Sequence, residues 1–319
     1  MSKGPKEIMR LKRTTRNTLC WLLAVVLIVL GCVRKAKSES FQDGVILPVY
    51  FHNPSKILFR KIVVWLKKNG YSFISCEQLI DILNKRMSCP SGAVWVSFDD
   101  GWKANIENVI PLVQEYNIPI TVFIYTSAIE TGIFWWKKAR KYASALPPEY
   151  RDINVVLKLP EDIRKQVLQL LARMETPDSF KKDAMTVEDI RLISDMPQVT
   201  IASHTVTHPV FQNCDDAQID YELGESKRKL EDWTGKPVKA FAYPRGSFNG
   251  RERPLLKKHG YELSVTIENR FARSTDDCYQ FPRTDVMNDG SFTENLCHAL
   301  GVWEPVINRF KRIVRLGRK

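Results

Sequence analysis

The sequence predicts an α/β fold whose parallel strands are arranged as in a (β/α) barrel. From Val45 onward, short apolar runs alternate with amphipathic stretches, a pattern that favours parallel strands joined by crossover helices. Polar residues directly follow three of these runs, at Asp99-Asp100, at Ser203-His204 and at Tyr243-Pro244-Arg245. Because a barrel carries its active site at the C-terminal ends of its strands, this placement indicates a barrel and locates its functional face.

Six strands are predicted in chain order. Residues 94–98 form a continuous apolar run, as expected for a strand that is covered on both faces. Similar short runs predict the other five strands, at residues 45–51, 118–125, 199–202, 238–243 and 263–267.

Amphipathic stretches between the strands predict five helices. Residues 56–69 carry apolar side chains at helical spacing and stop before Gly70, a residue typical of a helix C-terminus. The other four predicted helices cover residues 77–84, 105–116, 221–233 and 254–259.

The alternation of strands and helices is interrupted between residues 132 and 185. This stretch has no strand signal, contains two basic clusters and carries a helical pattern over residues 161–173. We therefore predict a helical insertion beside the mouth of a barrel domain that covers residues 45–300.

The N-terminal region predicts attachment to a membrane. Residues 1–18 contain six basic side chains, residues 19–33 form an uncharged apolar segment, and residues 34–44 read as a polar linker. The excess of basic residues before the segment keeps the N-terminus in the cytoplasm and sends the rest of the chain across.

The form of this attachment stays open. The apolar segment is short for a span of ~20 residues, so it fits a cleaved signal peptide or a short anchor. A third reading is a lipoprotein in which Cys32 carries the lipid. The alternative, a buried helix of the domain, is disfavoured by the polar residues that follow. If the segment is a signal peptide, a short anchor or a lipoprotein signal, the domain lies outside the cytoplasm.

Charge and cysteine content narrow the classes of partner. The chain has 48 Lys and Arg against 36 Asp and Glu, and part of the net charge of +12 lies at its two ends, including a basic tail at residues 301–319. Basic ends favour an anionic membrane surface or polymer. No DNA-binding or RNA-binding motif occurs in the sequence, so we predict no nucleic-acid partner. The seven cysteines contain no C-x-x-C pair, and Cys76 with Cys89 is one candidate disulfide.

Two pairs of residues predict a metal site. Asp99-Asp100 follows one strand, and His204 and His208, two of only five histidines, follow another. A catalytic zinc site needs three protein ligands and one open position. Adjacent side chains of a strand point to opposite sides, so one aspartate can bind the metal while the other acts as a base. Each pair alone is commonly structural, but their shared position at strand ends predicts metal-assisted hydrolysis of an amide or ester.

Three motifs resemble those of the polysaccharide deacetylase family, carbohydrate esterase family four. They are SFDDG at residues 97–101, SHTVTHP at residues 203–209 and AFAYPRG at residues 240–246. The resemblance extends over residues 45–283. It implies a distorted (β/α)7 barrel, removal of N- or O-acetyl groups from a glycan, and a divalent metal, taken as Zn²⁺ with Co²⁺ or Ni²⁺ as alternatives.

The resemblance also implies roles for the motif residues. Asp99 becomes the general base, and Asp100, His204 and His208 become the metal ligands. The third motif is expected to supply a backbone N–H, from the stretch Tyr243–Arg245, to the oxyanion that forms during hydrolysis.

Side chains that contact the glycan are predicted in two places. Tyr243 and Pro244 of the third motif are expected to lie against the substrate. Trp135 and Trp136 of the insertion are candidates for stacking on sugar rings, and packing within the insertion is their alternative role.

One position of the third motif departs from the family pattern. Phe241 stands where the family has an arginine that contacts the general base. We therefore expect Arg245 or Arg283 to steer Asp99 through a charge-assisted hydrogen bond.

The general acid is the least determined part of the predicted site. The histidine motif that supplies it in the family has no clear counterpart here. His52, directly after the first strand, is preferred over His298 as the candidate acid.

Taken together, the sequence predicts a membrane-attached, extracytoplasmic, metal-dependent deacetylase of an N-acetylated glycan. Two alternatives stay open: a non-catalytic glycan-binding protein on the same fold, and a metal-dependent amidase with a small substrate. The identity of the glycan and the oligomeric state are not determined by the sequence.

Overall fold

The structure, a computed structural model, describes residues 5–174, 181–288 and 290–308, with side chains from residue 14 onward. Most of the predicted basic tail, residues 309–319, lies outside the described residues. So do residues 1–4 and the basic side chains between residues 5 and 13.

Nine strands of the described chain form one sheet around which the rest of the fold is arranged. The order along the sheet is β7-β6-β5-β4-β3-β1-β8, with β2 paired to β3 and β9 paired to β1. All pairings are parallel except that of β1 with β8. The strands are β1 (Val45–Phe51), β2 (Ser72–Phe73), β3 (Ala93–Phe98), β4 (Ile120–Ile124), β5 (Val199–Ser203), β6 (Ala240–Ala242), β7 (Leu263–Val265), β8 (Ala272–Arg273) and β9 (Thr284–Asp285).

The sheet has the form of a half-barrel covered by helices. An isolated bridge joins Val265 to Phe281, and β9 then continues alongside β1. Among the described residues, these short contacts are what spans the side where a complete barrel would close. The predicted α/β class and all six predicted strands are therefore confirmed, with ends that differ by at most two residues.

Fourteen α-helices of the described residues connect and cover the strands. They are α1 (Pro5–Val29), α2 (Cys32–Ser40), α3 (Lys56–Lys68), α4 (Cys76–Leu83), α5 (Ala104–Asn108), α6 (Ile110–Tyr116), α7 (Thr126–Thr131), α8 (Trp135–Lys141), α9 (Ile153–Val156), α10 (Glu161–Arg173), α11 (Val187–Ser194), α12 (Asp216–Thr234), α13 (Glu252–Lys258) and α14 (Phe292–Ala299).

Local sequence accounts for where these helices begin and end. Ser55 caps α3 by accepting a hydrogen bond from the N–H of Leu58 at 3.2 Å. The single helix predicted at residues 105–116 is divided at Val109 into α5 and α6. Pro111 explains the break, because a proline lacks the N–H that would continue the helical hydrogen bonds.

Apolar side chains fill both faces of the sheet. Inside the half-barrel, Trp95 packs edge to face against Phe123 and Phe281, and its indole N–H donates to Thr121 at 3.1 Å. The outer face packs against the helices, which completes a two-layer core. The C-terminal ends of β3, β5 and β6 carry the three motifs to one end of the sheet.

The segment between residues 132 and 185 contains α8, α9 and α10, in line with its predicted helical character. Its second end is fixed to the strand-end loop after β3. The N–H of Met185 donates to the carbonyl of Gly101 at 2.9 Å, and Trp102 forms a bridge with Ala184. The insertion therefore stands directly beside the motif that contains Asp99 and Asp100.

The N-terminal region differs from the prediction. Residues 32–40, expected to be mostly polar linker, form α2, in which Val33 and Ala36 are buried. Their i, i+3 spacing gives this otherwise polar helix one apolar side that packs on the domain. Gly31, with a φ of 78°, separates α2 from α1.

The apolar segment itself is part of α1 and packs partly on the domain. Ala24 and Leu27 are buried, and Arg16 forms an ion pair with Glu294 of α14 at 2.6 Å. No single helix of the described residues has the length and apolar character needed to span a membrane. Thr14–Val29 and Cys32–Ser40, bent by 67° relative to each other, meet that criterion only as a pair. All seven cysteines, including Cys76 and Cys89, are free thiols.

Candidate active site

A cavity of about 470 Å³ opens at the C-terminal ends of the parallel strands. Its walls come from the three motifs, the insertion and the loops after β1, β7 and β9. The lining residues are Tyr50, His52, Asp99, Asp100, Trp102, Trp136, Arg140, Ile153, Asn154, Leu157, His204, His208, Arg245, Ile267 and Asn288.

The turn after β3 directs the two aspartates to different partners. Asp100 and Gly101 both have positive φ values, 77° and 84°, so the chain reverses directly after Asp99. An added Cβ at Gly101 would approach Ile124 and Ile129 to 3.1 and 3.2 Å, which favours glycine at this position. The carboxylate of Asp99 contacts Arg283, whereas that of Asp100 faces His204 and His208. The two aspartates therefore have different partners, as predicted, although the turn at Asp100 and not the alternation of a strand separates them.

His204 and His208 converge on Asp100. Their Nε2 atoms lie 3.6 and 3.7 Å from Oδ1 of Asp100, and all three side chains are buried. The histidines lie on a bend and not on a helix: Thr205 and His208 adopt φ values of 71° and 57°. Thr205 holds this bend because its hydroxyl accepts a hydrogen bond from the N–H of His208 at 2.9 Å.

The three side chains fit a divalent metal. They are the one group of metal-ligand type found among the described residues, with ligand atoms all within 4.8 Å of one another. Ligands at zinc distances on a tetrahedral ion are about 3.4 Å apart, close to the 3.6 and 3.7 Å observed. The ring Nδ1 of His204 lies 2.7 Å from the carbonyl oxygen of Ala242, which leaves its Nε2 free as a ligand. Burial is the main cause that lowers the pKa of His208, and the nearby His204 is the second. The ring is therefore neutral, as a metal ligand requires.

Asp99 is held by Arg283 at the bottom of the cavity. The guanidinium donates to both carboxylate oxygens, at 2.7 and 2.8 Å, and both residues are buried. Burial by itself would raise the pKa of Asp99, but the charge and hydrogen bonds of Arg283 outweigh it and lower that pKa. Asp99 is therefore an ionised carboxylate beside the candidate ligand set. Of the two arginines predicted to steer it, the structure selects Arg283.

A second buried network supports the histidine bend from behind. Glu222 of α12 accepts hydrogen bonds from the N–H groups of Val206 and Thr207, at 2.7 and 2.9 Å. Arg164 of the insertion donates to the hydroxyl of Thr207 at 3.0 Å and forms a two-pronged ion pair with Glu161. The insertion thus contacts the backbone that orients His208, although Arg164 itself does not line the cavity.

The third motif leaves one backbone N–H available at the cavity. The N–H of Tyr243 donates to the carbonyl of Val265 at 3.1 Å, and Pro244 has no N–H. The N–H of Arg245 forms no hydrogen bond within the described part of the chain, and Arg245 lines the cavity. Its φ of 57° turns the backbone sharply at this point. Of the predicted stretch, only Arg245 can therefore act as an oxyanion donor.

Three predicted roles for side chains of this region need correction. The Arg245 guanidinium is exposed at the cavity mouth and does not contact Asp99, because Arg283 already occupies both carboxylate oxygens. Tyr243 is buried and its hydroxyl donates to the carbonyl of Tyr279 at 3.0 Å, so its ring faces the core. Pro244 is also buried and is absent from the cavity lining.

Of the two histidines considered as the acid, only His52 reaches the cavity. It lines the wall next to Tyr50, with ring centroids 5.6 Å apart. The half-buried Asp285 of β9 lies nearby. Desolvation raises the pKa of Asp285, and the electrostatic interaction with His52 opposes this rise. His298 instead packs on Trp303 at a centroid distance of 5.0 Å. Burial, and to a smaller extent the charge of Arg16, lower the pKa of His298 to about 4.

The two tryptophans of the insertion have different positions. Trp136 lines the cavity, stacks on Phe134 at 4.9 Å and lies 5.1 Å from the His208 ring. Trp135 is buried, and the Arg164 guanidinium lies 5.4 Å from its ring centroid. Trp135 therefore packs inside the insertion, its alternative predicted role, and does not face the cavity.

Several cavity residues were not predicted from the sequence. Trp102 directly follows the first motif, and its indole N–H donates to Oδ2 of Asp100 at 3.0 Å. Because Trp102 is adjacent to this motif in the sequence, it could have been predicted as a site residue. Arg140, on α8, and Asn288, in the loop after β9, reach the cavity only through the tertiary fold, so no local sequence pattern predicts them.

Comparisons with known proteins point to one family. The sequence profile described as polysaccharide deacetylase matches residues 87–264. A poly-β-1,6-N-acetyl-D-glucosamine N-deacetylase of Staphylococcus aureus is 22% identical over 250 residues, which cover 76% of this chain and 73% of that protein. The corresponding protein of Staphylococcus epidermidis is 21% identical over 234 residues, covering 72% and 67%.

Solved structures show the same fold at low sequence identity. The Streptococcus pyogenes deacetylase PplD in complex with acetate superposes with a TM-score of 0.60 and 17% identity, covering 81% of this chain and 99% of that one. IcaB from Ammonifex degensii superposes with a TM-score of 0.59 and 18% identity, covering 81% and 98%.

Proposed function

Because the chain belongs to the polysaccharide deacetylase family, we propose that it is a metal-dependent enzyme that removes N-acetyl groups from a glycan outside the cytoplasm. Family membership makes the chain a hydrolase that acts on C–N bonds of a polysaccharide. The observation that carries the finer proposal is the convergence of Asp100, His204 and His208 in one cavity, with the ionised Asp99 beside them.

The proposed mechanism divides the work between the two aspartates. Asp100, His204 and His208 would hold the metal, which when bound supplies Lewis-acid polarisation of the acetyl carbonyl and a lower pKa for water. Asp99 would accept the proton of the attacking water as that water forms the new C–O bond. Arg283 keeps Asp99 ionised and fixes its orientation. Zn²⁺ is the proposed ion, and Co²⁺ or Ni²⁺ would suit the same ligands.

The oxyanion and the leaving amine need their own partners. The free N–H of Arg245 is the proposed donor to the oxyanion, an interaction that typically accounts for ~10²–10³ in rate. His52 would then protonate the amine as the C–N bond breaks, releasing acetate and a free amino sugar.

The proposed substrate is a polymer of N-acetylglucosamine. The relatives of Staphylococcus are named for poly-β-1,6-N-acetyl-D-glucosamine, and they match about three quarters of this chain. Trp136, with its ring at the cavity wall, would stack on a sugar ring. Because the domain is proposed to lie outside the cytoplasm, the glycan would belong to the cell envelope or the extracellular matrix.

The proposed location rests on the N-terminal region. An uncharged apolar segment follows six basic residues, and in α1 the side chains of Leu19, Leu22 and Val26 are exposed. Exposed apolar side chains on one helix suit a membrane environment. We expect the chain expressed in bacteria to pellet with membranes and to be digested by protease added to intact spheroplasts. Full protection from that protease would contradict the location without affecting the enzymatic proposal.

Acetate release tests the enzymatic proposal directly. Purified protein is incubated with poly-β-1,6-N-acetylglucosamine, chitin oligomers or peptidoglycan, with added Zn²⁺ or Co²⁺ and with or without a chelator. We expect metal-dependent acetate release from at least one N-acetylated glycan, most rapidly from the β-1,6-linked polymer. A folded, metal-loaded protein that releases acetate from none of them would refute the proposal.

A further inference from the structure

A second depression continues directly from the active cavity along the surface. Its volume is about 450 Å³, and it shares Asn154, Leu157 and Arg245 with the lining of the cavity. It lies between α9 of the insertion and the loops that follow β5 and β6. We call it the lateral groove and define it by six residues: Asn154, Lys158, Gln212, Asn213, Arg245 and Ser247.

The lining of the lateral groove is polar and is suited to neutral sugar residues. Three of its side chains are carboxamides, which both donate and accept hydrogen bonds, as hydroxyl and acetamido groups do. The Ser247 hydroxyl oxygen is buried and has no hydrogen-bond partner among the described residues. A groove continuous with the reacting cavity provides space for more than one sugar residue.

The charge of the lateral groove is positive. Lys158 and Arg245 are exposed and form no ion pair with any described residue, and the groove lining contains no carboxylate. Arg140, also exposed and without an ion-pair partner among the described residues, adds a third cation on the insertion side of the cavity. In the adjoining cavity, the charge of Asp99 is paired with that of Arg283. A chain lying in the groove therefore experiences an excess of positive potential.

We propose that the lateral groove binds the sugar residues next to the one being hydrolysed, and that its cations favour acetylated over already deacetylated neighbours. This inference rests on the proposed function. Each turnover converts a neutral acetamide into an amine, which takes up a proton and becomes a cation. Lys158 and Arg245 repel that cation, so a deacetylated stretch is a poor occupant of the groove. The enzyme therefore produces scattered rather than contiguous deacetylation.

The test compares two polymers with three forms of the full-length protein. Fully acetylated and partly deacetylated poly-N-acetylglucosamine are supplied at equal acetyl concentration, at mildly acidic pH and low salt. The proteins are wild type, Lys158→Glu and Lys61→Glu. Lys61 is an exposed lysine of α3 that does not line the cavity or the groove, so its variant makes the same change of charge elsewhere.

We expect wild type to have a kcat/KM roughly two- to fivefold lower on the partly deacetylated polymer, the size of one exposed charge interaction. Lys158→Glu should remove or reverse this preference, whereas Lys61→Glu should retain it. Because exposed charges are screened by salt, the preference of wild type should also shrink as ionic strength rises. The Lys158 side chain forms no hydrogen bond or ion pair with the described residues, so the melting temperature of Lys158→Glu should match that of wild type.

The outcomes separate the two proposals. Wild type that releases acetate from neither polymer would overturn the proposed function and this inference with it. Activity on both polymers with equal efficiency, or a preference that survives in Lys158→Glu, would overturn the inference alone. Oligomers recovered from the wild-type product and sequenced by mass spectrometry should show isolated glucosamine units. Long contiguous runs of glucosamine would also contradict the groove proposal.

Discussion

The floor of the active cavity and its rim are built in opposite ways. On the floor, Asp99, Asp100, His204 and His208 are buried. Hydrogen bonds fix two of these side chains directly: Arg283 donates to Asp99, and the ring of His204 bonds to the carbonyl of Ala242. On the rim, Arg140 and Arg245 are exposed and lack any charged partner in the described chain. The floor comes from strand ends, whereas much of the rim comes from the insertion.

This difference assigns separate tasks to the two regions. Buried, preoriented groups are suited to chemistry, since they do not have to reorganise as charge develops. Exposed groups without fixed partners can adapt to a polymer and contribute to its selection. Substitutions on the floor should therefore lower kcat, metal affinity or stability, whereas substitutions on the rim should act mainly through KM.

The largest effects are expected within the aspartate pair. Asp100→Ala removes one of three candidate ligands and should abolish both metal binding and acetate release. Asp99→Asn should keep the metal but lose the base, which lowers kcat by ~10²–10⁴. For both variants, metal affinity is measured by calorimetric titration and kcat by an acetate assay. Circular dichroism verifies that they are folded. Normal turnover in Asp99→Asn, or full metal affinity in Asp100→Ala, would reverse the assigned roles.

The next largest effect should come from Arg283. Arg283→Met leaves a buried carboxylate without its cation, and breaking such a pair costs about 3–5 kcal/mol of stability. The pKa of Asp99 should rise, because burial raises it once the opposing cation is gone. The acidic limb of the pH–rate profile should therefore move to higher pH. Arg283→Lys, which keeps the charge but not the two-pronged contact, should move it less.

The sign of the pH dependence of stability follows from the same pair. The pKa of Asp99 is lower in the folded chain than in the unfolded one, so its contribution is complete above the unfolded value. This contribution is lost as pH falls through the folded pKa. Arg283→Met should lose this dependence in acid unfolding experiments. A wild-type acidic limb that coincides with that of Arg283→Met would show that Arg283 does not control Asp99.

Local patterns predicted those parts of the molecule that local interactions determine. The strand β1 was predicted with its observed ends, because seven buried apolar residues leave little choice. The short strands β8 and β9 were missed, since two residues carry no periodicity and pair only through the rest of the sheet. The polar α2 was missed because only Val33 and Ala36 mark its buried side.

The candidate site shows the same division. The ligand residues lie in compact motifs, so they were found from the sequence. Arg283 remained one of two options until its distance to Asp99 was known, since 184 residues separate them. Arg164 and Glu222 had no signal at all, because their contacts with the histidine bend exist only in the folded chain.

A smaller effect than that of Arg283 is expected from Arg164, which connects the insertion to the floor. Arg164→Met removes its hydrogen bonds to Thr207 and should loosen the bend that carries His208. Such supporting contacts typically contribute 10–100-fold to metal affinity or activity. Calorimetry should show weaker metal binding, and saturating metal should restore much of kcat. Lys165→Met, at an exposed neighbour on the same helix, is the matched control and should leave metal affinity unchanged. Equal metal affinity in the two variants would show that Arg164 contributes only to the packing of the insertion.

The smallest effect is expected from Trp136, the aromatic residue at the boundary between floor and rim. Trp136→Ala removes a stacking surface for the sugar, and aromatic stacking contributes about 0.5–1.5 kcal/mol. The KM for an N-acetylglucosamine oligomer should therefore rise roughly 2- to 12-fold, with a smaller change in kcat. Because Trp136 also lies 5.1 Å from the His208 ring, metal affinity is measured in parallel. A rise in KM at unchanged metal affinity places Trp136 with the rim. A fall in kcat that accompanies weaker metal binding would instead assign Trp136 to the floor, together with the residues that hold the metal.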